Sequence, residues 1–185
     1  SWLQVVDGFS LEGAVMREKI SDLVVRGAIV MLRERAVRRE WAMWMRGGHS
    51  MRRDGLPPEA LGIHPGKAWL TPLAWRYLDV SEQQADRNGE LASAAPVLCI
   101  LGTRTDSPRA WLRAGEALAR VLLRAATVGV TASFFNEPLR EPAIAAQLKQ
   151  LCQFDGSPQL LFRLGLPVHQ NPATPRRPVA EVLQK

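Results

Sequence analysis

The stretch Pro96-Val-Leu-Cys-Ile-Leu-Gly-Thr103, with the Asp106-Ser107-Pro108 that follows it and the run from there to Gly129, decides the fold. The apolar residues of the first segment do not alternate with polar ones, which predicts a strand covered on both faces and central in its sheet. Ser107 can accept a hydrogen bond from the free N–H groups of a helix start. Pro108 suits the first helical position, where the N–H it lacks would find no partner. A helix is therefore predicted from Pro108 to Gly129. Trp111, Ala114, Leu118, Val121, Leu122, Ala125 and Val128 share its core face, and Arg109, Arg113, Arg120 and Arg124 its wet one. Gly115 inside that helix costs about 1 kcal/mol relative to Ala, so a backbone, helix or flat ligand is expected to approach it closely.

Working outward, residues 130–135 read as a second short strand, 141–152 as a helix and Pro158-Gln-Leu-Leu-Phe-Arg-Leu-Gly165 as a third strand. Strand, helix, strand, helix, strand is an α/β layer order. Upstream, residues 11–46 read as one helix with an apolar band through Leu23, Val24, Gly27, Ile29, Val30 and Leu32. Arg33, Arg35, Arg38, Arg39 and Arg46 are its densest charge cluster. Glu34 and Glu40 interrupt them, as on a solvated face with local ion pairs. Residues 41–95 form an irregular, Trp-rich segment on a mostly non-helical backbone. A helical turn is expected near 59–61 and a short helix within 81–95, and such a segment suits a site wall, a lid or an arm.

The chain has 185 residues, 46% apolar content and a formal charge of +6. One domain is the default at this length, with no run long enough to cross a bilayer, and a soluble cytoplasmic protein is expected. It begins with Ser1 rather than Met, which is expected to mark a boundary. Cys99 and Cys152 fit buried, reduced thiols. His49, His64 and His169 are scattered, without metal-ligand spacing, so no metal is expected. The common glycine-rich nucleotide motifs are absent. Glu116, Glu137, Glu141 and Asp155 show no spacing that marks an acid/base pair. The arginines are not focused into a nucleic-acid surface, and no nucleic-acid partner is expected. If the chain is an enzyme, a cofactor carries its chemistry and no catalytic side chain is singled out.

The best positive signal is Thr174-Pro-Arg-Arg-Pro178. Two adjacent guanidinium groups between prolines sit on a stiff, extended backbone with their side chains pointing apart. One can hold a phosphate by a forked pair while the other packs or makes an internal salt bridge; a purely structural arm is the alternative.

Residues Trp111-Leu-Arg-Ala-Gly-Glu-Ala-Leu-Ala-Arg120 and their continuation to Val130, Pro158 to Gly165, and Thr174 to Pro178 together resemble the second half of a nitroreductase-family flavoprotein. The likeness is nearest to the long, two-half Acg-like members. Leu101-Gly-Thr-Arg-Thr-Asp106 and Asp54-Gly-Leu-Pro57 add to it. The resemblance covers residues 36–183 and is most specific from 96 onward. It implies an α+β fold, a mostly antiparallel sheet flanked by helices, with a long central helix of dimer type. Residues 1–185 would be a single domain, and 41–95 its cover or arm.

By matching position, Arg176 and Arg177 would contact the phosphate of FMN. Thr131, Ala132, Ser133, Phe134, Phe135 and Asn136 would run beside the isoalloxazine, with the N–H of Phe135 or Asn136 aimed near N5. A plain core reading of Phe134 and Phe135 stays open. The family's N-terminal Arg-x-Ser-x-Arg stretch has no counterpart here. A homodimer, or pairing with an upstream nitroreductase-like half, is then expected to complete the cleft. The implied activity is hydride transfer from NAD(P)H to FMN and onward to a nitroaromatic or quinone-like small-molecule acceptor. A non-catalytic flavin-binding or dimerisation module is the alternative.

Overall fold

A computed structural model of the chain describes residues 1–7, 9–47, 54–57, 63, 65–168, 174 and 176–183. The chain forms two compact units, residues 1–31 with 81–168, and residues 32–80 with 169–185. His49, His64, His169 and the turn expected at 59–61 lie outside the described residues.

The first unit is built on a four-stranded sheet, β1 (Trp2–Asp7), β2 (Val97–Thr103), β3 (Thr131–Phe134) and β4 (Ser157–Gly165), in the order β1-β2-β4-β3. Every pairing is antiparallel. The α/β layer order is therefore corrected to α+β with an antiparallel sheet. β2 and β3 run in the same direction and are joined by one helix that crosses over β4, which is inserted antiparallel between them, so neighbouring strands are antiparallel even though strands and helices alternate along the chain. β2 is an inner strand, as its unbroken apolar run predicts, and β1 was not anticipated. Only Trp2, Gln4 and Val6 of β1 turn inward, and a one-sided edge strand of six residues gives little periodic signal.

The two faces of β2 serve different cores. Leu98 and Ile100 join Val6, Ile20, Leu23, Val24, Phe135, Ile144, Leu148 and Leu161 on one face. Those partners come from α1 (Leu11–Arg33), α7 (Pro142–Leu151) and the strands. Cys99 and Leu101 meet Phe162 and Ala114 on the other, where α5 (Pro108–Thr127) lies. Cys99 and Cys152 are both free and buried, and burial pushes each thiol up to about 11.

α5 starts as its sequence predicts. Ser107 is extended at φ −155°, its side chain accepts from the Ala110 N–H, and Gly129 ends the run at φ +73°. Its core face is narrower than expected. Ala110 and Ala114 are its buried residues, with Ala117, Leu118 and Val121 partly covered, while Trp111 and Val128 stay exposed. Within the chain nothing approaches Gly115, where an added Cβ would meet nothing within 4 Å. Trp111 is held at the helix start, where its indole N–H donates to Asp106, which also accepts from Gln159 of β4.

α4 (Ser81–Ser93) closes the same unit, and arginines meet a carbonyl of its last turn and one just past its end. Arg163 donates to the Leu91 carbonyl at 3.2 Å and Arg17 to that of Ala95 at 2.9 Å. Cations at a helix C-terminus complement its dipole and satisfy orphan acceptors.

In the second unit the helix expected over 11–46 is broken. Glu34 takes an extended conformation at ψ 113°, and α2 (Arg35–Trp44) starts after it. Arg38 explains the break: it is only 8% exposed and donates to the carbonyls of Leu32 and Arg33, the freed end of α1. That residue corrects the reading of the arginine cluster as wholly solvated. The expected non-helical backbone near Trp75 is corrected too, since α3 (Thr71–Tyr77) carries it. Trp75 is buried and stacks on Trp41 of α2, with ring centroids 5.4 Å apart and planes within 7°.

Candidate functional site

Among the described residues the strand β3 pairs with β4 and with no other strand, so it is an edge of the sheet. The register opposes Thr131 to Gly165, Ala132 to Leu164, Ser133 to Arg163 and Phe134 to Phe162. Side chains alternate between faces, so Ala132 and Phe134 lie on the α5 side and Ser133 on the other. Phe134 is 42% exposed and leans on Phe162 at 5.8 Å between ring centroids. Phe135 is a core residue at 2% exposure, which supports the plain reading for that ring.

The two backbone donors named for the flavin separate here. The Phe135 N–H donates to the Leu161 carbonyl at 2.9 Å, so it is spent on the sheet and is corrected as a ligand donor. The Asn136 side chain accepts from the Leu161 N–H at 2.9 Å, which fixes the chain as it leaves the sheet. The Asn136 N–H has no acceptor among the described residues. This half-covered donor fits a hydrogen bond to an electron-rich ring nitrogen.

Beside it stands a carboxyl group that spacing did not mark. Glu137 opens the short helix α6 (Glu137–Arg140), and its Oε1 accepts from Asn88 Nδ2 at 3.0 Å. Gln84 in turn donates to Asn88 at 3.0 Å. The Glu137 Oε2 is buried without a hydrogen-bond partner among the described residues. Burial raises its pKa above the ordinary carboxylate value, because the charged form loses water, and a backbone hydrogen bond at Glu137 only partly offsets that loss. The only sequence signal for it was the Asn136-Glu-Pro138 helix start. Arg163 sits 5.8 Å above the Phe135 ring, and burial lowers its pKa.

Arg176 and Arg177 belong to the second unit, whereas 131–136 belong to the first. The predicted residues are thus divided between the two units. Arg176 donates to the Thr174 carbonyl at 3.0 Å. Arg177 places its Nε 3.7 Å from Asp54 Oδ2, an internal ion pair. Its terminal nitrogens have no partner among the described residues and its side chain is 54% exposed. That donor set fits a phosphate, for which a guanidinium offers its two-pronged end. Among the described residues no cluster of His, Cys, Asp or Glu could hold a metal ion, and no described helix is long and apolar enough to cross a membrane.

No family model matches the chain. The chain is 35% identical over 97 residues to a Mycobacterium tuberculosis (strain H37Rv) protein that carries the provisional name NAD(P)H nitroreductase Rv3131. That match covers 50% of this chain and 28% of the relative. It is 32% identical over 133 residues to an uncharacterized protein of the same strain, Rv3127, covering 70% of this chain and 38% of that one. The matched stretches thus span well under two thirds of the relatives' own lengths. Over half of its length, then, this α+β chain is similar to a protein named as an NAD(P)H nitroreductase, and that partial homology supports the nitroreductase family.

Proposed function

We propose that the chain is part of an FMN-dependent NAD(P)H oxidoreductase of nitroreductase type, acting on a nitroaromatic or quinone-like acceptor in a reducing cytoplasm. The observation that carries this reading is the 35% identity over 97 residues to a relative bearing that name. Bound FMN would supply the redox chemistry, taking a hydride from the nicotinamide and passing electrons on. The chain's own residues bind and tune. Arg177 holds the phosphate through its terminal nitrogens, which have no partner among the described residues, and Arg176 stands beside it in sequence. The Asn136 N–H offers the donor that favours negative charge on the ring, the Phe135 N–H being committed. Thr131, Ala132, Ser133 and Phe134 present a strand edge and an exposed ring to one side of the isoalloxazine.

The test is the visible spectrum of the purified chain after FMN is added and the excess removed, followed by an NAD(P)H oxidation assay. Retained flavin that turns over nicotinamide supports the reading, and Arg177→Ala is then expected to weaken FMN binding. Retained flavin without turnover supports a flavin-binding module instead.

A pairing module of the same fold is favoured by one further observation. Leu112, Gly115, Ala119, Leu123 and Ala126 recur at three- and four-residue steps of α5, and all are exposed. Such a stripe, with open space over Gly115, is shaped to seat a second helix, from a second copy or an upstream half. A stable oligomer that ignores FMN would support this reading over the first.

A further inference from the structure

Asp54 stands on a backbone that is held firmly for a loop. Leu56 donates its N–H to the Trp44 carbonyl at 2.7 Å and accepts from the Arg46 N–H at 2.9 Å, which bridges Met45 and Leu56 in parallel at the end of α2. Met45 is 5% exposed, and Pro57, next along, is buried. Gly55 turns between them at φ +90°, where an added Cβ would lie 2.6 Å from the Trp44 carbonyl oxygen. A side chain would find neither room nor an allowed conformation there. Arg177 has no such support of its own. It sits exposed between Arg176 and Pro178, outside any helix or strand, ahead of the short helix α8 (Val179–Val182).

An ion pair joins Arg177 to Asp54. Asp54 Oδ2 lies 3.7 Å from the Nε of Arg177. An acid on the Nε edge leaves the NH1 and NH2 end open for a second, forked partner. The cost of binding an anion with a long, exposed arginine is largely the rotamer freedom lost, and a fixed acid reduces it beforehand.

We infer that Asp54 is a positioning residue: it fixes Arg177 so that the free end of its guanidinium receives the phosphate of the ligand. This rests on the flavin reading for the identity of that ligand. An acid that instead competed with the phosphate would give the opposite response to its removal, so the two are separable.

The test measures FMN and riboflavin affinities of the full chain by flavin fluorescence, for wild type, Asp54→Asn and Asp54→Glu. Riboflavin lacks the phosphate. Asp54→Asn should weaken FMN binding roughly two- to fivefold, the effect of a partly exposed ion pair. It should leave riboflavin unchanged, and Asp54→Glu should recover part of the loss. Unchanged or tighter FMN binding by Asp54→Asn would overturn the inference, and so would equal loss of both flavins, which marks a merely structural residue. If wild type binds neither flavin, the flavin reading fails by itself. Inorganic phosphate, followed at the Arg177 Nε–H resonance by NMR, then decides. A phosphate-dependent shift that weakens in Asp54→Asn upholds the positioning role, and no shift in wild type overturns it.

Discussion

The surroundings of Glu137 fit its charge poorly. One carboxyl oxygen is satisfied by Asn88 and the other is buried without a partner among the described residues. Its raised pKa means that the folded state holds the proton more tightly than the unfolded chain does. The contribution of this group to stability is therefore greatest at acid pH. It falls as pH climbs above the ordinary carboxylate value towards the raised one. Glu137→Gln keeps an oxygen for Asn88 and removes the charge. The variant is expected to melt at higher temperature than wild type near neutral pH, with the difference shrinking below the carboxylate range. A difference that grew on acidification would show that the carboxylate is stabilised by something else. Arg38 is also buried: one terminal nitrogen donates to the Leu32 and Arg33 carbonyls, a use that no charge count of the sequence anticipates, while its Nε has no hydrogen-bond partner among the described residues.

α5 shows what an element owes to its own sequence and what it owes to neighbours. Its start is local: Ser107 caps the Ala110 N–H and Pro108 follows at the first position. Ser107→Ala should cost about 1 kcal/mol of stability, as a lost helix cap does. Gly115 is local in the other direction. With nothing within 4 Å of an added Cβ, Gly115→Ala should stabilise the isolated chain by about 0.5–1 kcal/mol. Both follow from denaturant midpoints of the two variants, and a destabilising Gly115→Ala would mean that a neighbour does pack against that turn. The strong apolar periodicity made α5 legible as a helix. It could not say which of its apolar residues face the sheet, because Leu112 and Leu123 look as core-like in sequence as Leu118 and Val121 do.

At the scale of the molecule, the sheet of the first unit separates two cores, and adjacent residues of β4 serve both. Leu161 is fully buried in the larger cluster and Phe162 in the smaller, on the α5 side. Leu161 also accepts from Phe135 and donates to Asn136, so one residue ties β3 to the core and fixes where the chain turns towards Glu137. Leu161→Ala should cost about 2–5 kcal/mol, the range for a fully buried leucine. It should also loosen the 131–136 segment, seen as faster hydrogen exchange of the Phe135 amide. Unchanged exchange at that amide, with the stability loss intact, would separate the packing role from the positioning one. The second unit draws on different resources, a Trp41–Trp75 stack and the arginine cap of α1.

The sequence by itself determined the elements with strong local signals: the inner strand β2, the capped start of α5, the strands β3 and β4, and the paired arginines near the C-terminus. Unbroken apolar runs, a Ser-Pro start and a Gly stop are short-range physics, settled within a few residues of chain. Only the tertiary structure decided the rest. Strand direction, the presence of β1 and the edge position of β3 depend on hydrogen bonds between distant segments, which local periodicity does not encode. So do the commitment of the Phe135 N–H to Leu161 and the pairing of Asp54 with Arg177. A backbone donor or a guanidinium reads the same in any sequence; which acceptor it meets is fixed by how the whole chain returns on itself.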